Sequence, residues 1–508
     1  MKKIIICVMS VFWALPGAFA QKKPNILVIF GDDIGVSNIS AYSRGLMGFM
    51  TPNIDRIGNE GGVFVQYYGQ QSCTAGRAAF ITGQCPFRTG LTKVGLPGSP
   101  IGLQKEDPTT AEFLKPLGYM CGQFGKNHLG DQDRYLPTAH GFDEFFGNLY
   151  HLNAEEEPEN PDYPKGAEFK KKFGPRGVLK STADGKIEDT GPLTSKRMET
   201  VDEEFLAAAK DFMSRQVKAG KPFFTWFNAT RMHVFTHLKP ASKGKTGLGL
   251  QADGMVEHDA MVGELLQFLK DQGIEDNTIV IYTTDNGAMK NQWPDGGSSP
   301  FRSEKDTNWE GAYRCPALIR WPGVIKPGSN FTGIFSAEDW LPTLVAAAGG
   351  DTDLPARARS GFSAGGKNFK VHLDGYNQLS YLKGETPSKR HDFVYFDDDG
   401  HLVAYRDERF KYTFAIQMAK GMEIWRNPMM DLRGPVIIDL MTDPYEYAVD
   451  GSIAYEKWMI DRAFLILPAV SKVGEYLQSY KAFPPRQKPA SFSIDQVIDK
   501  LNTAIKSH

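Results

Sequence analysis

Residues 25–30, Asn-Ile-Leu-Val-Ile-Phe, form an unbroken apolar run that ends in Gly31-Asp32-Asp33. A strand with one wet face alternates apolar and polar residues. A run without alternation fits a strand covered on both faces, as in a parallel sheet between two helix layers. Three later runs, residues 119–124, 222–227 and 278–284, share this character, and each follows a helical pattern. The clearest such pattern spans residues 253–270, where Met255, Val262, Leu265, Leu266 and Leu269 fall on one helical face before Gly273 stops it. Strand and helix in alternation predict an α/β domain with right-handed crossovers.

Near residue 385 the pattern changes. Residues 393–396, 401–405 and 410–414 read as short strands with tight polar turns, and residues 455–482 as helical. The expected architecture is a large mixed, mostly parallel sheet flanked by helices over residues 21–384. A smaller α+β domain with an antiparallel sheet is expected over residues 385–508. Residues 151–198, broken by Pro158, Pro161, Pro164, Pro175 and Pro192, read as a long surface excursion. The charge run at residues 155–159 reads as a solvated loop within it.

Residues 1–20 have the layout of a secretory signal peptide: Lys2 and Lys3, an apolar stretch, then Ala18-Phe19-Ala20 before Gln21. An exported protein, periplasmic or secreted, is expected. No other window has ~18 uninterrupted apolar residues, so no membrane span is expected in the mature chain. The 508 residues carry 58 basic and 60 acidic side chains, a net charge of −2. That balance excludes a strongly basic nucleic-acid binder at the level of the whole chain. Five cysteines are too few for a disulfide scaffold. Cys7 leaves with the signal, and Cys85, Cys121 and Cys315 read as small structural residues.

In open parallel sheets, ligands bind beyond the carboxyl ends of the strands. Asp32 and Asp33 follow the first run, Lys126 and His128 the second, His233 and His237 the third, and Asp285 and Asn286 the fourth. If the sheet is parallel, these groups converge on one cleft. Three carboxylates and an amide suit a hard divalent cation. Lysines, histidines and an arginine suit a tetrahedral oxyanion.

Cys73-Thr74-Ala75-Gly76-Arg77 resembles the signature of the type I sulfatases, members of the alkaline phosphatase superfamily, in which the cysteine is oxidised to formylglycine by a maturation enzyme. Its surroundings resemble the same family in the same order. They include the opening strand at residues 24–33, the helix at 51–56, Gly125-Lys126-Asn127-His128-Leu129-Gly130 with Asn127 where Trp is common, the histidine segment 231–237, Thr284-Asp285-Asn286-Gly287, and Lys305 ahead of Trp309-Glu310-Gly311 and of residues 316–323. The resemblance covers residues 24–323 and weakens beyond, although residues 485–489 resemble the tail of bacterial arylsulfatases.

The resemblance implies an arylsulfatase-like enzyme that hydrolyses aryl or carbohydrate sulfate monoesters to the alcohol and inorganic sulfate. It implies a calcium ion held by Asp32, Asp33, Asp285 and Asn286 and touching the modified Cys73. Hard oxygen ligands suit Mg²⁺ too, and the residues alone do not choose between the two. It further implies a formylglycine diol as nucleophile, with Asp285 as base and Arg77 holding the diol or the helix start. Lys126 and Lys305 would bind sulfate oxygens. His233 would protonate the departing alcohol, shared with Lys305, and His128 would take the second hydroxyl proton as sulfate leaves. The implied partners are a small-molecule or glycan sulfate ester and the maturation enzyme. His237 has no role to transfer. Two alternatives remain at this level: a phosphate or phosphonate ester hydrolase of the same superfamily, and a non-catalytic homologue that binds sulfated glycans.

Overall fold

The computed structural model describes residues 23–492. The expected signal peptide, with Cys7, lies outside the described residues. Ten strands form one sheet: β1 Asn25–Gly31, β2 Gly62–Tyr68, β3 Met120–Gly125, β4 Glu144–Gly147, β5 Leu179–Thr182, β6 Ile187–Asp189, β7 Phe223–Asn228, β8 Thr278–Thr284, β9 Ala317–Arg320 and β10 Ser329–Ser336. Their order is β10-β2-β9-β8-β1-β7-β3-β4-β5-β6. β8, β1, β7, β3 and β4 are mutually parallel, and only β9 and β5 run against the rest.

β1 lies at the centre, between β7 and β8. Its side chains divide by parity. Ile26, Val28 and Phe30 enter one apolar cluster, with Phe80, Trp226 and Trp340. Leu27 and Ile29 enter the other, with Phe205, Val262 and Leu265. Both clusters are closed to solvent, which is the physical reason the sequence lacks alternation here. Helices Val201–Lys218 and Leu250–Asp271 cover the second face. Helix Cys73–Thr82 and helix Trp340–Ala347 cover the first.

The chain then makes a hairpin, β11 Phe362–Ala364 and β12 Lys367–Phe369, and a four-stranded antiparallel sheet. The strands of that sheet are β13 Phe393–Phe396, β14 Leu402–Arg406, β15 Phe410–Ile416 and β16 Met430–Asp439. The expected helical stretch is two helices, Tyr455–Ile460 and Ile466–Ala482. This sheet is docked by a buried charge network. Glu310 accepts from Tyr68 and Tyr395 at 2.6 Å each, and Lys411 reaches Glu310 at 3.2 Å and Glu446 at 2.8 Å. Residues 484–492 run back to the first half, where Gln487 donates to the carbonyls of Thr89 and Gly102 at 2.8 Å. Among the described residues no helix is long and apolar enough to cross a membrane.

Two expectations fail in residues 151–198. The segment is not simply a surface excursion, because β5 and β6 extend the main sheet. The run at 155–159 is helical and only partly solvated, with Glu157 and Glu159 exposed. Helix Leu152–Glu156 carries Glu155 inward to 3 % exposure, and Glu156 holds His237 at 2.7 Å. Pro158 lies in the short helix Glu157–Glu159 and the other prolines sit in connections, so both strands are left intact and regular structure was not excluded.

Candidate active site

The parallel strands end at one edge of the sheet, and each end delivers a polar group. β1 gives Asp32 and Asp33, β3 gives Lys126 and His128, β7 leads to Arg231 and His233, and β8 gives Asp285 and Asn286. β2 leads into Cys73, the first residue of helix Cys73–Thr82. The helix start lies tight against the β8 end. A Cβ at Gly76 would fall 1.9 Å from the Asp285 carbonyl oxygen, so this position of the motif admits no side chain. Gly125, at φ +103°, lies equally close to the Asn228 carbonyl and lets the chain turn into Lys126.

Carboxylate oxygens of Asp32, Asp33 and Asp285 lie within 4.8 Å of one another, and all three residues are buried. Such a triplet requires compensating charge. Arg77 supplies it to Asp285 at 2.8 Å, Lys126 to Asp32 at 2.5 Å and Lys305 to Asp33 at 2.7 Å. Burial opposes ionisation of Asp32, yet Lys126 and Arg77 hold its carboxyl below the usual range. Burial opposes Asp33 in the same way, and Lys305 and His233 overcome it. Asp33 and His128 also adopt positive φ, 58° and 61°, in the left-handed region that non-glycine residues avoid.

The donor set fits a hard cation. Asp32 Oδ1, Asp33 Oδ2 and Asn286 Oδ1 are buried oxygens without hydrogen-bond partners. The Asn286 amide nitrogen is committed to Asp33 Oδ1 at 2.7 Å and the Gly287 carbonyl at 2.8 Å, which leaves its oxygen free to ligate. Three orphaned oxygens beside a third carboxylate are what a Ca²⁺ or Mg²⁺ ion satisfies.

The Cys73 side chain faces this cluster. His128 Nδ1 lies 3.1 Å from its sulfur, and Lys305 Nζ lies 3.9 Å away. His128 Nε2 is 3.1 Å from the Gly95 carbonyl, so that nitrogen carries the proton and Nδ1 is left as acceptor toward Cys73. Burial pushes the Cys73 thiol up, against the pull of Lys126 and Lys305. An unmodified Cys73 is therefore a neutral thiol here, not a ready thiolate. Arg77 touches Asp285, the Lys126 carbonyl and Asn228, so it braces the strand ends as well as the helix start.

His233 Nδ1 is tied to the Val234 carbonyl at 2.6 Å, and its Nε2 points at Asp33, 3.7 Å away. Burial lowers its pKa while Asp33 raises it, and the net direction is down. Lys305 moves the other way: burial opposes its charge, but Asp33 and its neighbours hold it protonated. His237 lies apart from this cluster, its Nε2 hydrogen-bonded to Glu156.

Sequence reasoning missed His151. Its ring stands between His128 and His233, with centroids 5.7 and 5.8 Å away. Nδ1 caps helix Leu152–Glu156 by accepting from the Ala154 N–H at 3.1 Å, which fixes the proton on Nε2. Burial, then His233 and Lys126, lower its pKa. The signal existed, because His151 follows β4 just as His128 follows β3. A four-residue strand was too short to recognise.

Cys85, Cys121 and Cys315 are buried free thiols in the structure, in keeping with small core residues.

A family model described as Sulfatase matches residues 24–350. Arylsulfatase A of Bos taurus is 31% identical over 466 residues, 86% of each chain. Human N-acetylgalactosamine-6-sulfatase is 31% identical over 343 residues, 65% of this chain and 63% of its own length. Among solved structures, the PsFucS1 sulfatase from Pseudoalteromonas sp. superposes with a TM-score of 0.80 at 28% identity, covering 92% of each chain. A phosphonate monoester hydrolase of Agrobacterium radiobacter shares the fold, with a TM-score of 0.54 at 20% identity.

Proposed function

The chain belongs to the sulfatase family and hydrolyses sulfate esters, and from that premise we propose that Cys73, matured to formylglycine, is its nucleophile beside a calcium ion. The observation that carries this reading is the set of three unpartnered buried oxygens, on Asp32, Asp33 and Asn286, next to Cys73. Asp32, Asp33, Asp285 and Asn286 would hold the ion, which supplies Lewis-acid stabilisation of charge on the ester oxygens. The formyl group, when hydrated, supplies a hydroxyl nucleophile that a buried neutral thiol does not.

The remaining chemistry belongs to the chain's own side chains. Arg77, Lys126 and Lys305 offset the three carboxylates, so a bound divalent ion leaves the site net positive for an anionic ester. Lys126 and Lys305 orient the sulfate oxygens. Asp285, braced by Arg77, is the base beside the nucleophile. The His233–Lys305 pair hands a proton to the departing alcohol, Lys305 being the member held charged. His128 Nδ1, the free acceptor at Cys73, takes the proton that must leave the second hydroxyl as sulfate departs. The amino-terminal residues 1–20 would direct export.

The test is mass spectrometry of the Cys73 peptide from cells with and without a formylglycine-generating enzyme, paired with 4-nitrophenyl sulfate turnover. Activity should track the formylglycine fraction, and Cys73→Ala should be inactive. Turnover by protein whose Cys73 is wholly an unmodified thiol would refute the assignment.

A further inference from the structure

The turn that presents His233 also presents an aromatic ring to solvent. The Thr236 N–H donates to the His233 carbonyl at 3.2 Å and closes a tight turn over residues 233–236. His233, Val234 and Thr236 are buried, whereas Phe235 is 44% exposed and joins no apolar cluster among the described residues. Phe235 holds φ +68°, at the turn position where glycine or asparagine is usual. A bulky residue is strained in that conformation, so the surrounding structure imposes it.

Two anchors to helix Leu152–Glu156 hold the turn. On the inner side the His233 ring lies parallel to that of His151, the helix cap, with centroids 5.8 Å apart. On the outer side His237 Nε2 is hydrogen-bonded to Glu156, the last residue of the helix, at 2.7 Å. The histidine pair is buried, while the side chains of His237 and Glu156 are 35% and 31% exposed. The turn follows β7 and the helix follows β4, so both stand at the parallel strand ends where the catalytic groups gather. Two residues span at most about 7 Å, which keeps Phe235 within that reach of His233 on one side and of His237 on the other. Glu156 spends Oε2 on His237 and keeps Oε1 for a further donor. An aromatic face beside an open carboxylate suits a sugar, whose C–H face packs on the ring and whose hydroxyls donate to the carboxylate.

We propose that Phe235 and the Glu156–His237 pair form the subsite for the sugar ring that carries the scissile oxygen. The ring face lies on Phe235, and a hydroxyl donates to Glu156. The inference rests on His233 and Lys305 being the pair that serves the departing alcohol, since that places the sugar beside this turn. It gives the strained backbone at Phe235 a purpose: the turn trades a glycine for an aromatic platform next to the proton donor.

The test uses the full matured chain with monosulfated galactose, N-acetylgalactosamine, glucose and fucose, and with inorganic sulfate as a competitor that has no sugar. On the best of the four sugars, Phe235→Gly and Glu156→Gln should each raise KM by about tenfold, more than they change kcat. Inhibition by inorganic sulfate should weaken far less in both variants. Phe235→Gly should also keep or raise the melting temperature, because glycine accepts φ +68° freely. Sugar-sulfate KM and sulfate inhibition moving together would overturn the proposal, as would a Phe235→Gly variant that loses melting temperature and kcat alike, the mark of a residue that only supports the His233 turn. Turnover of 4-nitrophenyl sulfate but of none of the four sugars would overturn it too. Should fully modified protein turn over none of these esters, the assignment of the catalytic groups falls by itself. Saturation-transfer NMR with the same sugar sulfates then decides the subsite: sugar-ring contacts weakened in both variants support it, and contacts kept in either variant, or absent from the parent chain, refute it.

Discussion

Arg231→Met should destabilise the protein by about 3–5 kcal/mol, the cost of removing the cation from a buried ion cluster. Arg231 is fully buried, with Asp202 at 2.7 Å and Glu257 at 2.5 Å. The two carboxylates would not be stranded equally. Asp202 keeps the Thr230 N–H, at 2.9 and 3.1 Å from its two oxygens. Glu257 loses its charged partner, and its other oxygen already has none. Most of the penalty should therefore sit on Glu257, and adding Glu257→Gln should recover about half of it. Loss of activity should exceed what unfolding explains. The Asp32 N–H donates to the Arg231 carbonyl at 2.9 Å, and the Met232 N–H donates to the Asp32 carbonyl at 2.8 Å. The same segment thus braces Asp32, one of the proposed metal ligands, and presents His233. The assay is thermal and urea unfolding of the single and double variants, with 4-nitrophenyl sulfate turnover measured well below the transition. A loss under 1 kcal/mol, or no recovery with Glu257→Gln, would refute this account of the cluster.

Calcium should raise the melting temperature and EGTA should lower it, by about 3 °C when the ion stands near 100 Kd; Asn286→Ala should abolish most of the difference, and indifference of the parent chain to both would exclude a cation site. His128→Ala should lower kcat on 4-nitrophenyl sulfate by about 10²-fold or more with little change in KM, because the acceptor at Cys73 is lost while sulfate contacts remain; unchanged kcat would remove His128 from the reaction. His140 and His258 are buried neutral, burial lowering their pKa values to about 4 and about 3. The unfolded chain binds protons at both below about pH 6.5 and the folded chain does not, so their contribution is intact above that pH and is lost as pH falls. Each should cost about 2 kcal/mol between pH 7.5 and pH 5, and His258→Gln should remove that share of the fall in unfolding free energy, measured by urea unfolding at the two pH values; an unchanged fall would refute it.

What could be read from the sequence was set by which physical signal each element leaves in it. The central strands were legible because burial on both faces removes polar residues from them, and β8 was placed to the residue at 278–284. Their carboxyl ends then indicated Asp32, Lys126, His128, His233, Asp285 and Asn286 without further information. The strands β4 and β5 leave only four residues each, too few for any period to register, so His151 and the sheet extension through residues 179–189 were hidden. Glu155 shows the same limit from the other side: charge suggested solvent, while the tertiary fold drew its carboxyl inward.

The roles of the site residues depended on a further step that composition and spacing do not encode, namely which polar atoms are already spent. Asp33 and Asn286 each bring two polar atoms to the cleft, and one of each pair is consumed by the other residue: Asn286 Nδ2 donates to Asp33 Oδ1 at 2.7 Å. That single bond aims both remaining oxygens into the cluster. The histidines follow the same logic. Gly95, Ala154 and Val234 each occupy one ring nitrogen, so three chemically identical side chains present different atoms to the cleft: an acceptor from His128, a donor from His151, and Nε2 of His233 toward Asp33. Which ring nitrogen the backbone occupies thus divides proton acceptance from proton donation, which is why the residue types could be found in the sequence while their division of labour needed the fold.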